Sequence, residues 1–165
     1  MLVDSLRFQQ PTNAKPKNVF DVKTEKWRKK WLSSINELTS LNLQMKSWLN
    51  DQNKNPHWSY VEFRCTYFDD LFLDENCLKL SWISDHEFNI LKDWHKNLRE
   101  YEAPKNNVYD HQAILKDSKW LDIVELGRKI TNLLTNILTP NEEIILNQEK
   151  TSHTRHRLYP ARKQK

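Results

Sequence analysis

The chain is 165 residues long, contains one Gly, two Cys and seven Trp, and carries a formal net charge of +4. This length predicts one domain, since domains commonly hold about 100 to 200 residues. Because glycine-rich phosphate loops need several glycines, the single Gly127 excludes the P-loop and dinucleotide-binding motifs. No apolar run reaches the about 18 residues that span a bilayer, and no signal-peptide stretch opens the chain, so we expect a cytoplasmic protein.

The basic residues are concentrated at the two ends of the chain. Residues 150–165 contain six Lys or Arg and no acidic residue, and residues 1–30 contain eight Lys or Arg and three acidic residues. Residues 31–149 therefore hold 12 basic and 19 acidic residues, a net charge of −7. This distribution predicts an irregular arm over residues 1–22, a folded helical domain over residues 23–149 and a basic flexible tail over residues 150–165.

The spacing of apolar residues predicts a mainly all-α fold, a single compact bundle of about five helices. We expect the first helix to begin at a Thr24 cap. It buries one stripe at helical spacing: Trp27, Trp31, Ile35 and Leu38. A second short helix follows, with the apolar positions Leu41, Met45, Trp48 and Leu49. The polar residues 50–56 then form a surface loop.

Residues 60–67 fit two kinds of secondary structure. Apolar and polar residues alternate here as in a half-buried strand, yet the same segment also fits helical spacing. Because no other segment supplies a strand partner and an isolated strand is not stable, we favour a helix or irregular structure. Two cysteines are too few for a disulfide framework or a zinc site, so Cys65 and Cys77 are predicted to be buried thiols.

Two capping boxes mark helix starts in the second half of the chain. Ser84 and Glu87 begin a helix that ends before Pro104, and Thr139 and Glu142 begin the last helix. In each box the side chains of the first and fourth residues hydrogen-bond each other's backbone amides. The first of these helices has one apolar face: Phe88, Leu91, Trp94 or His95, Leu98 and Tyr101.

The longest helix is predicted to begin at an Asp117 or Ser118 cap, after a short turn or helix over residues 108–115. Its apolar positions extend over about five turns: Trp120, Ile123, Val124, Gly127, Ile130, Leu133, Leu134, Ile137 and Leu138. Glycine inside a helix costs up to about 1 kcal/mol relative to alanine, so Gly127 predicts a close helix crossing.

Five carboxylates lie within a short segment in the middle of the chain. They form the candidate site: Glu62, Asp69, Asp70, Asp74 and Glu75. The favoured interpretation is an acidic surface that binds a basic protein partner, without catalysis or a cofactor. The alternative is a small metal-dependent hydrolase that uses the carboxylates from Asp69 to Glu75. Magnesium enzymes that handle diphosphates use an Asp-Asp-x-x-Asp spacing, but here the third Asp falls one residue late and no second acidic box exists.

The basic ends of the chain leave a third alternative, a nucleic-acid accessory protein that acts through them. The acidic body would repel a phosphate backbone, so we do not expect nucleic acid to bind there. We expect no membrane partner, and the oligomeric state stays open. No His-x-x-x-His pair marks a helical zinc site.

The order of three segments resembles that of small uncharacterised helical proteins of bacteria. These segments are the acidic turn at residues 67–71, the helix end at residues 101–104, and the entry to the long helix at residues 114–124. The resemblance covers about residues 25–138. Some proteins of this kind are similar to immunity proteins, which neutralise toxins in bacterial competition. The resemblance implies a toxin as the partner and implies no catalytic residues.

Overall fold

The computed structural model describes residues 19–50, 52, 59–71 and 75–148, with the backbone alone for residues 19–21 and 75–76. These residues form an all-α fold, as predicted, and contain no strand. Eight α-helices lie in the described ranges: α1 (Val19–Thr39), α2 (Leu41–Trp48), α3 (Tyr60–Cys65), α4 (Glu75–Lys79), α5 (Asp85–Glu100), α6 (His111–Lys116), α7 (Ser118–Thr135) and α8 (Pro140–Leu146). A π-helix (Thr66–Asp70) continues α3, and a short 3₁₀ turn (Pro104–Asn106) follows α5.

The helix count is higher than the predicted five because short helices occupy the connections between the long ones. The segment that fitted both strand and helix forms α3 and the π-helix, and α4 and α6 are each six residues or fewer. The predicted loop at residues 50–56 lies mostly outside the described residues, as do the first 18 residues and the predicted tail. None of the helices in the described ranges is both long and apolar enough to cross a membrane.

Helix α1 is the central element, and it packs against α7, α8, α2 and α3. The helix already includes Val19, so the prediction of a Thr24 cap was wrong. No Pro or Gly stands between these two positions to prevent helical backbone, and Thr24 lies within the helix. The predicted buried stripe is confirmed at Trp31, Ile35 and Leu38, each with 0% exposure, while Trp27 is half-buried.

Helix α2 buries Trp48, as predicted, and leaves two of the other predicted apolar positions in solvent. Met45 and Leu49 are 49% and 41% exposed, and Gln44 is fully buried instead. The amide of Gln44 donates to the carbonyl of Glu37 at 3.0 Å, and its side-chain oxygen accepts from Nε1 of Trp120 at 3.0 Å. These two hydrogen bonds satisfy the buried amide and fix the rotation of the helix.

Helix α5 begins at the predicted capping box. The Glu87 amide donates to Oγ of Ser84 at 3.2 Å, and the Ser84 amide donates to the Glu87 carboxylate at 2.7 Å. Leu91, Trp94 and Leu98 are fully buried, whereas Phe88 and His95 are half-buried. The box at Thr139 and Glu142 likewise begins α8.

Helix α7 is capped by Asp117 and crosses both α1 and α5 at Gly127. A Cβ atom at Gly127 would lie 2.5 Å from Cγ2 of Thr39 and 2.8 Å from Nε1 of Trp94, so the predicted close crossing is confirmed. The helix ends at Thr135. Leu133 and Ile137 are 54% and 42% exposed, so they lie outside the core that the apolar spacing assigned to them.

Candidate partner-binding face

The candidate site is built on α3 and the π-helix that continues it. Oγ of Ser59 accepts the Glu62 amide at 3.2 Å, which starts α3. The inward positions recur at intervals of three or four residues, each at most 1% exposed: Tyr60, Phe63, Tyr67 and Leu71. The aromatic side chains thus anchor this segment to the core, and the acidic side chains fall on the other side.

The π-helix Thr66–Asp70 places two consecutive aspartates in solvent. Its i→i+5 hydrogen bonds widen the turn relative to an α-helix, and π-helices occur often at functional sites. Asp69 and Asp70 are both exposed, while Tyr67 and Leu71 on either side of them remain buried. This geometry separates a buried apolar side from a charged outer side.

Glu62, Asp69 and Asp70, which we call the acidic face, lie around the thiol of Cys65. Burial raises the pKa of this thiol, and the hydrogen bond with Asp69 and the charges of Asp69, Glu62 and Asp70 raise it further. Cys65 itself is half-buried, so the prediction that it is a buried thiol was wrong, whereas Cys77 is 1% exposed as predicted. Cys65 stands three residues after Glu62 and four before Asp69, which puts it between them on one helix face.

Side chains of α1 reach this segment, among them Lys30 and Trp27. Nζ of Lys30 lies 3.3 Å from Oδ2 of Asp70, and Nε1 of Trp27 donates to the carbonyl of Leu71 at 3.1 Å. The Lys30 and Asp70 side chains are 31% and 49% exposed, so their ion pair contributes at most about 1 kcal/mol. Neither contact could be predicted from the sequence, because 40 or more residues separate the partners.

The buried side of the π-helix is held by α5. The hydroxyl of Tyr67 shares a hydrogen bond with Nε2 of His95, and Tyr67 is fully buried. Burial, and then the nearby charge of Arg99, lowers the pKa of His95 to about 4, so its imidazole is neutral at pH 7. Burial raises the pKa of Tyr67 well above its usual value, so the phenol keeps its proton. The guanidinium of Arg99 lies 4.4 Å from the centre of the Phe68 ring.

The structure brings together three of the five predicted site residues. Asp74 lies outside the described residues, and Glu75 begins α4 with its side chain undescribed. Within the described ranges, no group of three His, Cys, Asp or Glu side chains is arranged to hold a metal ion. The acidic face is therefore a set of carboxylates around a thiol, with Lys30 at one edge.

No family model matches the chain, and no curated protein or solved structure matches it either. The resemblance to immunity-type proteins rests on the three sequence segments alone. The functional proposal below therefore rests on the geometry of the acidic face.

Proposed function

We propose that this protein is a non-enzymatic binding module that captures a basic protein partner through its acidic face. The observation that carries the proposal is the gathering of Glu62, Asp69 and Asp70 around Cys65, with both aspartates exposed. Asp74 and Glu75 follow Asp70 after three apolar residues, and we include them in the proposed surface. In line with the resemblance, the proposal places the protein in the bacterial cytoplasm as an immunity-type inhibitor of a basic toxin.

Electrostatics and rigidity both favour this role over a purely solvated surface. Clustered like charges raise the association rate with an oppositely charged protein by about 10- to 1000-fold at low salt. Such charges discriminate between partners best when they are fixed in position. Here Tyr67, the residue two positions before Asp69, is fully buried and hydrogen-bonded to His95, so the backbone beneath the aspartates is anchored.

The test is a comparison of two double charge reversals. Asp69→Lys/Asp70→Lys alters the acidic face, and Asp93→Lys/Asp122→Lys makes the same change in net charge at exposed positions of α5 and α7. Each variant serves as bait in lysate of the source organism, and proteins captured by the wild type are identified by mass spectrometry. We expect a basic protein that the wild type and the Asp93/Asp122 variant capture and the Asp69/Asp70 variant does not.

Association kinetics with the captured protein complete the test. We expect the Asp69/Asp70 variant to associate at least about tenfold more slowly at low salt, with a flatter dependence on ionic strength. Circular dichroism checks that both variants remain helical. Equal losses in the two variants would show that net charge alone matters, which contradicts the proposal. Saturable heat on titrating the wild-type protein with Mg²⁺ alone, lost in Asp70→Asn, would also contradict it and favour the hydrolase alternative.

A further inference from the structure

A cavity of about 490 Å³ opens between α1, the turn after α4 and the start of α5. Leu78 and Trp82 contribute apolar walls, and Arg28, Asp85 and Glu87 contribute charged groups. Trp82 is half-buried, while Nε1 of its indole is buried and has no hydrogen-bond partner among the residues that the structure describes. We call this space the Trp82 cavity, and none of its lining residues belongs to the acidic face.

The aromatic wall of the Trp82 cavity is fixed by its backbone and by α1. The Ser81 amide donates to the Leu78 carbonyl and the Trp82 amide to the Cys77 carbonyl, both at 2.9 Å. With Ser81 at φ 54°, these bonds form a Schellman motif that ends α4. Nη1 of Arg28 donates to the Trp82 carbonyl at 2.9 Å. The Trp82 ring also packs on Trp27, with 5.2 Å between ring centres, so its position is set before any ligand binds.

The charged residues of the cavity carry an excess of negative charge, because Glu87 and Asp85 line it with Arg28. Glu142 does not line the cavity, but it pairs with Arg28. Arg28 pairs with two carboxylates at once, since its Nη2 lies 2.7 Å from Glu87 Oε1 and its Nε lies 2.5 Å from Glu142 Oε1. The pKa values of Glu87 and Glu142 are lowered, so both are ionised at pH 7 and this triad has a net charge of −1. Asp85 is exposed at the cavity and adds another negative charge. The guanidinium of Arg28 is already occupied, so an anion would meet repulsion here.

We propose that the Trp82 cavity binds an arginine side chain of a partner protein. An aromatic wall and a nearby carboxylate suit the planar guanidinium, which stacks on indole rings and pairs with carboxylates. Leu78 offers apolar surface to the methylene groups of the same side chain. This site lies outside the acidic face, so it stands or fails independently of the proposed function.

The test uses the full chain labelled with ¹⁵N and the N–H resonance of the Trp82 indole, which is assigned by its absence in Trp82→Phe. The probes are N-acetyl-arginine amide and its neutral isostere, N-acetyl-citrulline amide. We expect a saturable shift of this resonance with the arginine probe, with half-saturation at about 1 to 10 mM, and no saturable shift with citrulline. N-acetyl-lysine amide should bind more weakly than arginine.

The variants Asp85→Asn and Asp93→Asn provide the matched comparison, because both remove one exposed carboxylate from α5. We expect Asp85→Asn to weaken binding of the arginine probe at least about threefold and Asp93→Asn to leave it unchanged. Equal shifts with arginine and citrulline, equal binding by the two variants, or tighter binding of lysine would each overturn the proposal. The absence of any shift up to about 50 mM arginine probe would do so as well.

Discussion

Gly127 is the one glycine of the chain, and we expect Gly127→Ala to destabilise the fold although alanine is the better helix former. The added Cβ would lie 2.5 Å from Cγ2 of Thr39 and 2.8 Å from Nε1 of Trp94. Both neighbours are held in place. Oγ1 of Thr39 donates to the Ile35 carbonyl at 2.9 Å, and Nε1 of Trp94 donates to the Ile123 carbonyl at 3.1 Å.

Three contributions decide the size of the effect. Replacing glycine by alanine inside a helix favours folding by about 1 kcal/mol. Inserting a methyl group into a packed core costs about 1 to 3 kcal/mol. Displacement of the fully buried Trp94 weakens its hydrogen bond to Ile123, which costs about 1 kcal/mol more. The expected net loss in the free energy of unfolding is therefore about 1 to 3 kcal/mol.

Urea denaturation of four proteins measures this loss and locates its cause: wild type, Gly127→Ala, Thr39→Ser and the double variant. Thr39→Ser removes the Cγ2 atom that the new methyl group would meet and keeps the hydroxyl that bonds Ile35. The free energy of unfolding lost in the double variant should be smaller by about 1 kcal/mol than the sum of the losses in the two single variants. A Gly127→Ala protein at least as stable as the wild type would refute the reasoning, because helix propensity would then outweigh the steric contact.

Two further predictions follow from the groups around the π-helix. Because the folded protein holds the pKa of His95 at about 4 against an ordinary 6.5, the unfolded chain is protonated first as the pH falls. The contribution of His95 to the free energy of unfolding is therefore fully present above pH 6.5 and is lost as the pH falls toward 4. About 2 kcal/mol of it is lost between pH 6.5 and 5. Urea melts should show this loss in wild type and not in His95→Gln, and parallel pH profiles would contradict the assignment. Asp69→Asn should speed alkylation of Cys65 by iodoacetamide at pH 8, since the carboxylate raises the pKa of that thiol. Cys77, which is 1% exposed, should react slowly in both proteins, and an unchanged Cys65 rate would argue against the contact with Asp69.

The features predicted correctly from the sequence are those that local chemistry determines. A capping box needs only residues three positions apart, so Ser84 and Glu87 identify the start of α5 without knowledge of the rest of the fold. Gly127 similarly predicts a close helix crossing. Glycine destabilises a helix interior relative to alanine, and a crossing too close for a side chain explains its presence there. Neither signal names the partner elements, and the structure supplies them as Thr39 of α1 and Trp94 of α5.

The features that were missed depend on contacts between distant residues. The orientation of α2 is set by Gln44, whose side chain bonds Trp120, a residue 76 positions away. Hydropathy predicts that a glutamine at this position faces solvent. The helical periodicity of apolar residues then predicts that Met45 is buried. The prediction of a Thr24 cap failed for a local reason. No residue between Val19 and Thr24 ends the helix, so α1 continues through Thr24.

The acidic face shows the same division within one site. Asp69 and Asp70 stand together in the sequence, so their acidic character was evident before the structure. Their joint exposure depends on the π-helix, and the residue that anchors this helix, Tyr67, bonds His95 from 28 positions away. The anchor and the charges are thus specified by different parts of the chain. If partner binding needs fixed carboxylates, loss of the Tyr67–His95 contact weakens binding while every charge of the face is retained.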